Sequence, residues 1–148
     1  MKKFFISLLL LYGLQSCNEV ERFAPIEFDV TGVTVNNEYN VCSFYGDIAT
    51  SENYITFVAK GNNERYGFLT EFSVENESYH FSKTDYNDTE QNIIVSGDWG
   101  HIELTNSNPY TTKVWISENQ SSTSRNFKLT FGGGYIVSWV YITQKAAE

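Results

Sequence analysis

The stretch from Arg125 to Gln144, RNFKLTFGGGYIVSWVYITQ, constrains the fold more than any other part of the chain. Phe127, Leu129 and Phe131 alternate with Asn126, Lys128 and Thr130. At period two, one side of an extended strand is packed and the other is wet. Gly132, Gly133 and Gly134 follow, and glycine reaches the positive φ of a tight hairpin turn at little cost. The return strand from Tyr135 to Gln144 places Ile136, Val140 and Ile142 on one face and Trp139 and Tyr141 on the other. A lone hairpin is marginal in water, so the remaining chain must provide a second layer.

The rest of the sequence is built to do so. At 148 residues there is room for one domain with a real core. Aromatic residues make up 16% of the chain, which with many β-branched residues favours strands over helices. Ile26, Phe28 and Val30 alternate with acids and Thr31, and Gly32 interrupts them. Tyr39 to Tyr45 and Tyr54 to Lys60 read as further strands. Gly61-Asn62-Asn63-Glu64 reads as a hairpin turn into Tyr66, Phe68, Phe72 and Val74. Asn76-Glu77-Ser78 reads as the next turn, and Ser82 to Asn92 as polar loop. Ile93 to Val95, Trp99 to Leu104 and Lys113 to Ser117 complete the series, the last with Val114 and Ile116 on one face and Trp115 on the other. No window holds a helical moment for three turns. Short strands with turn signals at roughly 8–12-residue spacing predict an all-β, antiparallel sandwich or barrel.

The first residues stand apart from this pattern. Lys2 and Lys3 precede an apolar run from Phe4 to Leu11, far short of the ~20 residues that span a bilayer as a helix. Such a segment is a secretory signal, excluded from fold reasoning. Leu14-Gln15-Ser16-Cys17 resembles the lipobox of bacterial lipoproteins, with Gln15 a departure from its usual pattern. The resemblance implies that residues 1–16 are cleaved and that Cys17 accepts a diacylglyceryl group and further acyl chains such as palmitate. Residues 17–24 then form a lipidated tether, and 25–148 the folded domain. Cleavage lowers the basic count from 10 to 8 against 18 acids, a charge of −10. Asn18 does not match the inner-membrane retention signal, and Glu19 and Glu21 resemble the acidic export signals of Bacteroidetes surface lipoproteins. The expected location is the outer membrane, lipid-anchored, with the cell surface as the facing side to test.

Charge narrows the partners. A chain at −8 offers no basic patch for phosphates, which argues against nucleic acid, and no attraction to anionic lipid beyond the anchor. With Cys17 lipidated, Cys42 in Val41-Cys42-Ser43-Phe44 has no intramolecular disulfide partner and reads as a small buried hydrophobe.

An ordered set of residues brings a family into view. Ser96-Gly97-Asp98-Trp99, then Val114-Trp115-Ile116-Ser117-Glu118-Asn119, then Arg125, then Tyr141-Ile142-Thr143-Gln144 resembles the BACON domains of Bacteroidetes. The match covers residues 96–144, about the last third of the chain. The resemblance implies an immunoglobulin-like β-sandwich associated with carbohydrate-active proteins.

No catalytic or metal constellation emerges from the sequence. His80 and His101 fit no metal spacing, and Cys42 has no matched His and Asn or Asp. Asp85-Tyr86-Asn87-Asp88-Thr89-Glu90 lacks the glycine and glutamate of a calcium loop, and no spacing singles out a glycosidase pair among the 18 acids. A non-enzymatic protein without a cofactor is expected. The candidate binding residues are Trp139 and Tyr141, outward from one sheet, and Trp115 on the other; Trp99 is expected at the core edge with its N–H bonded. Flat C–H faces of sugars stack on such rings, but the same surface suits protein contact. Two readings stand: a glycan- or mucin-binding surface module, and a structural or protein-interaction module without sugar affinity.

Overall fold

The computed structural model describes residues 25–37, 42–60, 67–87, 92–105, 109–133 and 136–148. The signal, Cys17 and the tether lie outside these residues. Among the described residues the elements run, in chain order, β1 Phe28–Thr31, β2 Ser43–Ile48, β3 Asn53–Ala59, β4 Leu69–Val74, β5 Glu77–His80, α1 Lys83–Asn87, β6 Ile93–Gly97, β7 Gly100–Thr105, β8 Thr111–Ile116, β9 Arg125–Gly133 and β10 Ile136–Gln144. One sheet has the order β1-β3-β8-β7-β6 and the other β2-β10-β9-β4-β5. Neighbouring strands are antiparallel except β2, which lies parallel to β10.

The alternation that opened the sequence places the core. Phe127, Leu129 and Phe131 on β9 and Val140 and Ile142 on β10 are buried against Ile55 and Phe57 of β3, Val114 and Ile116 of β8, and Ile102 and Leu104 of β7. Phe131 meets Phe57 across the two layers at 5.3 Å between ring centroids, and Phe72 meets Trp99 at 4.6 Å. Truncating one such side chain to Ala costs about 3–5 kcal/mol. Among the described residues the core cluster runs from Ile26 to Ile142. The architecture is an all-β immunoglobulin-like sandwich, as expected.

Several local expectations change. The strands flanking Gly61–Glu64 do not form a hairpin, because β3 and β4 belong to different sheets. The four residues of that turn lie outside the described ones. Placed in different sheets, β3 and β4 bring their apolar faces together from the two sides of the core, Ile55 and Phe57 from one layer and Leu69 and Phe72 from the other. The polar stretch after Phe81 contains α1, where Asp85 accepts hydrogen bonds from the Ser82 amide and hydroxyl at 2.5 and 2.8 Å. Tyr86 on α1 is buried and donates its hydroxyl to the Leu69 carbonyl at 2.9 Å. The β4–β5 turn falls at Glu75-Asn76, one residue earlier than read, with Glu75 at φ 53°. In the β9–β10 hairpin, Gly132 takes φ 83° yet pairs with Val137, so the ladder continues into the glycine run.

Candidate functional site

Both outer faces of the sandwich carry aromatic side chains, placed by strand register. On the second sheet the row Tyr45, Tyr141, Lys128 and Ser73 crosses β2, β10, β9 and β4. Tyr45 and Tyr141 lie stacked, ring centroids 5.1 Å apart and planes 13° apart. Beside them opens a cleft of about 340 Å³ lined by Thr34, Asn36, Tyr45, Asp47, Tyr141 and Thr143. That volume is at the lower end of small-ligand sites. Asn36 and Tyr45 exchange backbone hydrogen bonds of 2.8 Å each, which fixes the rim to the edge of β2. Across the rings from the cleft, Glu71 accepts from Lys128 Nζ at 3.4 Å and from Thr130 Oγ1 at 3.1 Å. Aromatic faces next to hydroxyls, an amide and a carboxylate suit a ligand with both apolar and hydroxyl surfaces.

Trp139 shares this face with Tyr141, as the alternation predicts, but is half-buried. Its register neighbours Ser43 and Thr130 are buried although both are small and outward-facing. A larger side chain must cover them, and Trp139 stands between the two. Tyr45 completes the ring pair. Sequence reasoning missed it, because a parallel pairing with a strand almost 100 residues away leaves no local signature.

Trp115 belongs to the other sheet, as expected. There it sits in the row Tyr54, Trp115, His101 and Ser96 across β3, β8, β7 and β6. Tyr54 lies 6.3 Å from the indole at 46°, and His101 5.3 Å from it at 31°. Tyr54 is 66% exposed, whereas Trp115 is half-buried. The Trp115 Nε1 atom is buried without a hydrogen-bond partner. The adjoining row contains the ion pair Lys113–Glu103 at 3.3 Å and exposed Ile94.

Trp99 packs at the core edge and donates from Nε1 to Glu77 Oε2 at 3.3 Å. The same carboxylate oxygen takes the Tyr79 hydroxyl at 2.7 Å, and this bond raises the Tyr79 phenol above its ordinary pKa. Cys42 is buried. His80 on β5 and His101 on β7 lie in different sheets.

The residues behind the family resemblance converge at one end of the sandwich. Gln144 is fully buried, and its Nε2 donates to the carbonyls of Thr50, Ser51 and Ser117 at 3.1, 3.3 and 2.9 Å. Arg125 Nη1 donates to Gln144 Oε1 at 3.2 Å and to Ser117 Oγ at 3.4 Å. Asn119 is also buried and donates to the carbonyls of Thr123 and Lys145 at 2.9 and 3.0 Å. These side chains satisfy backbone groups where strands from both sheets end. Their role in the fold is structural.

No family model matches the sequence, and no curated protein matches it. Among solved structures, a protein from Bacteroides thetaiotaomicron determined by NMR is similar with a TM-score of 0.52 and 15% identity. That likeness covers 84% of this chain and 89% of the other. Murine CRIg gives a TM-score of 0.32 and 12% identity, over 81% of this chain and 99% of its own. The first likeness establishes a shared fold.

Proposed function

We propose that this chain is a lipid-anchored, non-enzymatic module of the bacterial outer membrane, exposed at the cell surface, that binds glycans, mucin glycans included. The observation that carries the reading is the stacked Tyr45–Tyr141 pair beside a cleft with Thr34, Asn36, Asp47 and Thr143 on its walls. A pyranose ring offers a flat C–H face to an aromatic ring and its hydroxyls to polar neighbours. Trp139, two residues before Tyr141 on the same face of β10, extends the surface. The anchor is the lipobox-like Leu14-Gln15-Ser16-Cys17, with Cys17 as the acylated residue. Several acyl chains hold firmly, at about 0.8 kcal/mol for each buried CH₂. The BACON-like series over residues 96–144 supports the carbohydrate association, and the acidic residues after Cys17 support export to the surface of a Bacteroidetes cell.

A glycan array probed with residues 23–148 tests the reading. Tyr141→Ala is expected to weaken binding with little change in Tm, whereas Trp139→Ala should weaken binding and also lower Tm, because the half-buried indole stands over Ser43 and Thr130. An array with no bound glycan would sink the proposal and leave a structural or protein-contact module. Processing blocked by globomycin, and lost in Cys17→Ser, tests the anchor; a Cys17→Ser chain that still carries lipid refutes it.

A further inference from the structure

We propose that the opposite sheet carries a second, separate saccharide site along the row Tyr54–Trp115–His101, so that one domain holds two glycan chains on its two faces. The sugar chemistry rests on the function proposed above; the second site rests on observations of its own. Three rings stand side by side on β3, β8 and β7, in one register row across the strands. Ring centroids step 6.3 Å from Tyr54 to Trp115 and 5.3 Å from Trp115 to His101, of the order of the advance per residue of an extended, equatorially linked pyranose chain. A sugar chain laid across the strands thus meets successive rings.

The surroundings favour a narrow, uncharged ligand. Lys113 is paired with Glu103 at 3.3 Å and Lys60 with Asp29 at 2.5 Å, with Glu27 also acting on Lys60, so both lysines are neutralised and no net positive charge is offered here in a chain of −8. A neutral polymer meets neither attraction nor repulsion there, whereas an anionic one is repelled by the whole molecule. Thr31 and Thr56 flank the aromatic row on β1 and β3. The apolar surface is mainly this line of rings, with Ile94 exposed beyond the Lys113–Glu103 pair, and is narrower than the broad patch a protein interface buries. Tyr54, 66% exposed, leaves ring surface open to a partner. Trp115 Nε1 is a buried donor without an acceptor, and a sugar oxygen brought to the indole edge by a local side-chain movement would satisfy it. Unpaired buried donors are uncommon, because leaving one is costly.

The two rows lie on opposite sides of a two-layer sandwich, so a short oligosaccharide cannot engage both. The three tryptophans make independent reporters: Trp115 for this face, Trp139 for the other, and core Trp99 for the integrity of the fold. Residues 23–148 labelled with ¹⁵N would be titrated with hexasaccharides of β-1,4-linked glucose, β-1,4-linked mannose and β-1,4-linked xylose, and the three indole N–H signals followed. The expected result is a saturating shift of the Trp115 signal with at least one sugar while Trp99 stays in place. Tyr54→Ala should weaken that response about fivefold or more without changing the Trp139 response. Trp115→Phe, which keeps a ring but removes the donor and with it the indole signal, should weaken binding as read by isothermal titration calorimetry with the same sugar and leave Tm unchanged or raised. Movement of Trp139 alone would overturn the second site and preserve the function proposed above. Movement of Trp115 alone would support this site and count against Tyr45–Tyr141 as the glycan platform. No movement of either indole with any of the three sugars would overturn the second site as a saccharide site and leave a protein partner as the occupant of this face.

Discussion

Replacing Gln144 with Met tests whether the polar end of the sandwich stabilises the fold. Methionine has nearly the same length and volume, so no large cavity opens and mainly hydrogen bonds are lost. Three carbonyls lie 2.9–3.3 Å from Nε2, but an amide nitrogen carries only two protons, so two bonds are the effective number. At ~1 kcal/mol each, with a further ~2 kcal/mol for the bond from the Arg125 guanidinium, the gross loss is about 4 kcal/mol. Part is recovered. The Thr50 carbonyl keeps its bond from the Asn119 amide at 2.8 Å, and Arg125 still reaches Ser117. A net loss of about 3 kcal/mol follows, a large share of the ~5–15 kcal/mol that stabilises a typical domain. With an m-value of about 1.5 kcal/mol/M, the urea midpoint should fall by about 2 M, read by tryptophan fluorescence. A Gln144→Met domain that unfolds within about 0.3 M of the parent would refute the reasoning, since the buried amide would then contribute no more than its volume.

Tyr86→Phe removes the hydroxyl from the Leu69 carbonyl but keeps the ring beside Phe68 and Tyr110, so a loss of about 1–2 kcal/mol is expected at pH 7 by chemical denaturation. Burial raises the Tyr86 pKa above its ordinary value. A raised folded pKa gives stability that is complete below the unfolded pKa, about 10, and is lost as pH rises beyond it. Urea midpoints measured from pH 8 to 11 should therefore fall more steeply for the parent than for Tyr86→Phe; parallel curves would exclude Tyr86 as the source. Gly100→Ala meets two obstacles, a φ of 131° and the Trp115 carbonyl in the path of the new Cβ. A Tm drop corresponding to about 3 kcal/mol or more is expected, and an unchanged Tm would show that the β6–β7 turn is not held as described.

What the sequence made legible was local. Alternation placed Val114, Ile116, Phe127, Leu129, Phe131, Val140 and Ile142 in the core, and all are buried. Period two reports which way a side chain points, but not which strand lies alongside. Tyr141 and Trp115 could thus be read as outward-facing, whereas their partners Tyr45, Tyr54 and His101 could not, because each pairing depends on the register of distant strands. The turn chemistry of Gly61–Glu64 indicated a reversal without indicating a change of sheet. Tyr86 lay in a stretch too short and too polar to show a helical period, and its burial follows from α1 packing over Phe68 and Leu69. Ser138 and Gln144 occupy the inner face of β10 beside Val140 and Ile142. A hydrophobicity pattern passes over them, since their burial depends on bonds such as Ile26 N to Ser138 Oγ at 2.8 Å.

The parallel pairing of β2 with β10 has a mechanical consequence. Tension applied between the two ends of the chain first reaches β1, a four-residue edge strand. Once β1 has peeled away, the pull enters β2 at its start and leaves β10 at its finish. In a parallel pair these points are at opposite ends of the ladder, so the force runs along the strands and the six register pairs from Ser43↔Trp139 to Ile48↔Gln144 share it together. An antiparallel pair of first and last strands would open like a zipper, one bond at a time. The domain is thus built to yield a little under traction and then to hold.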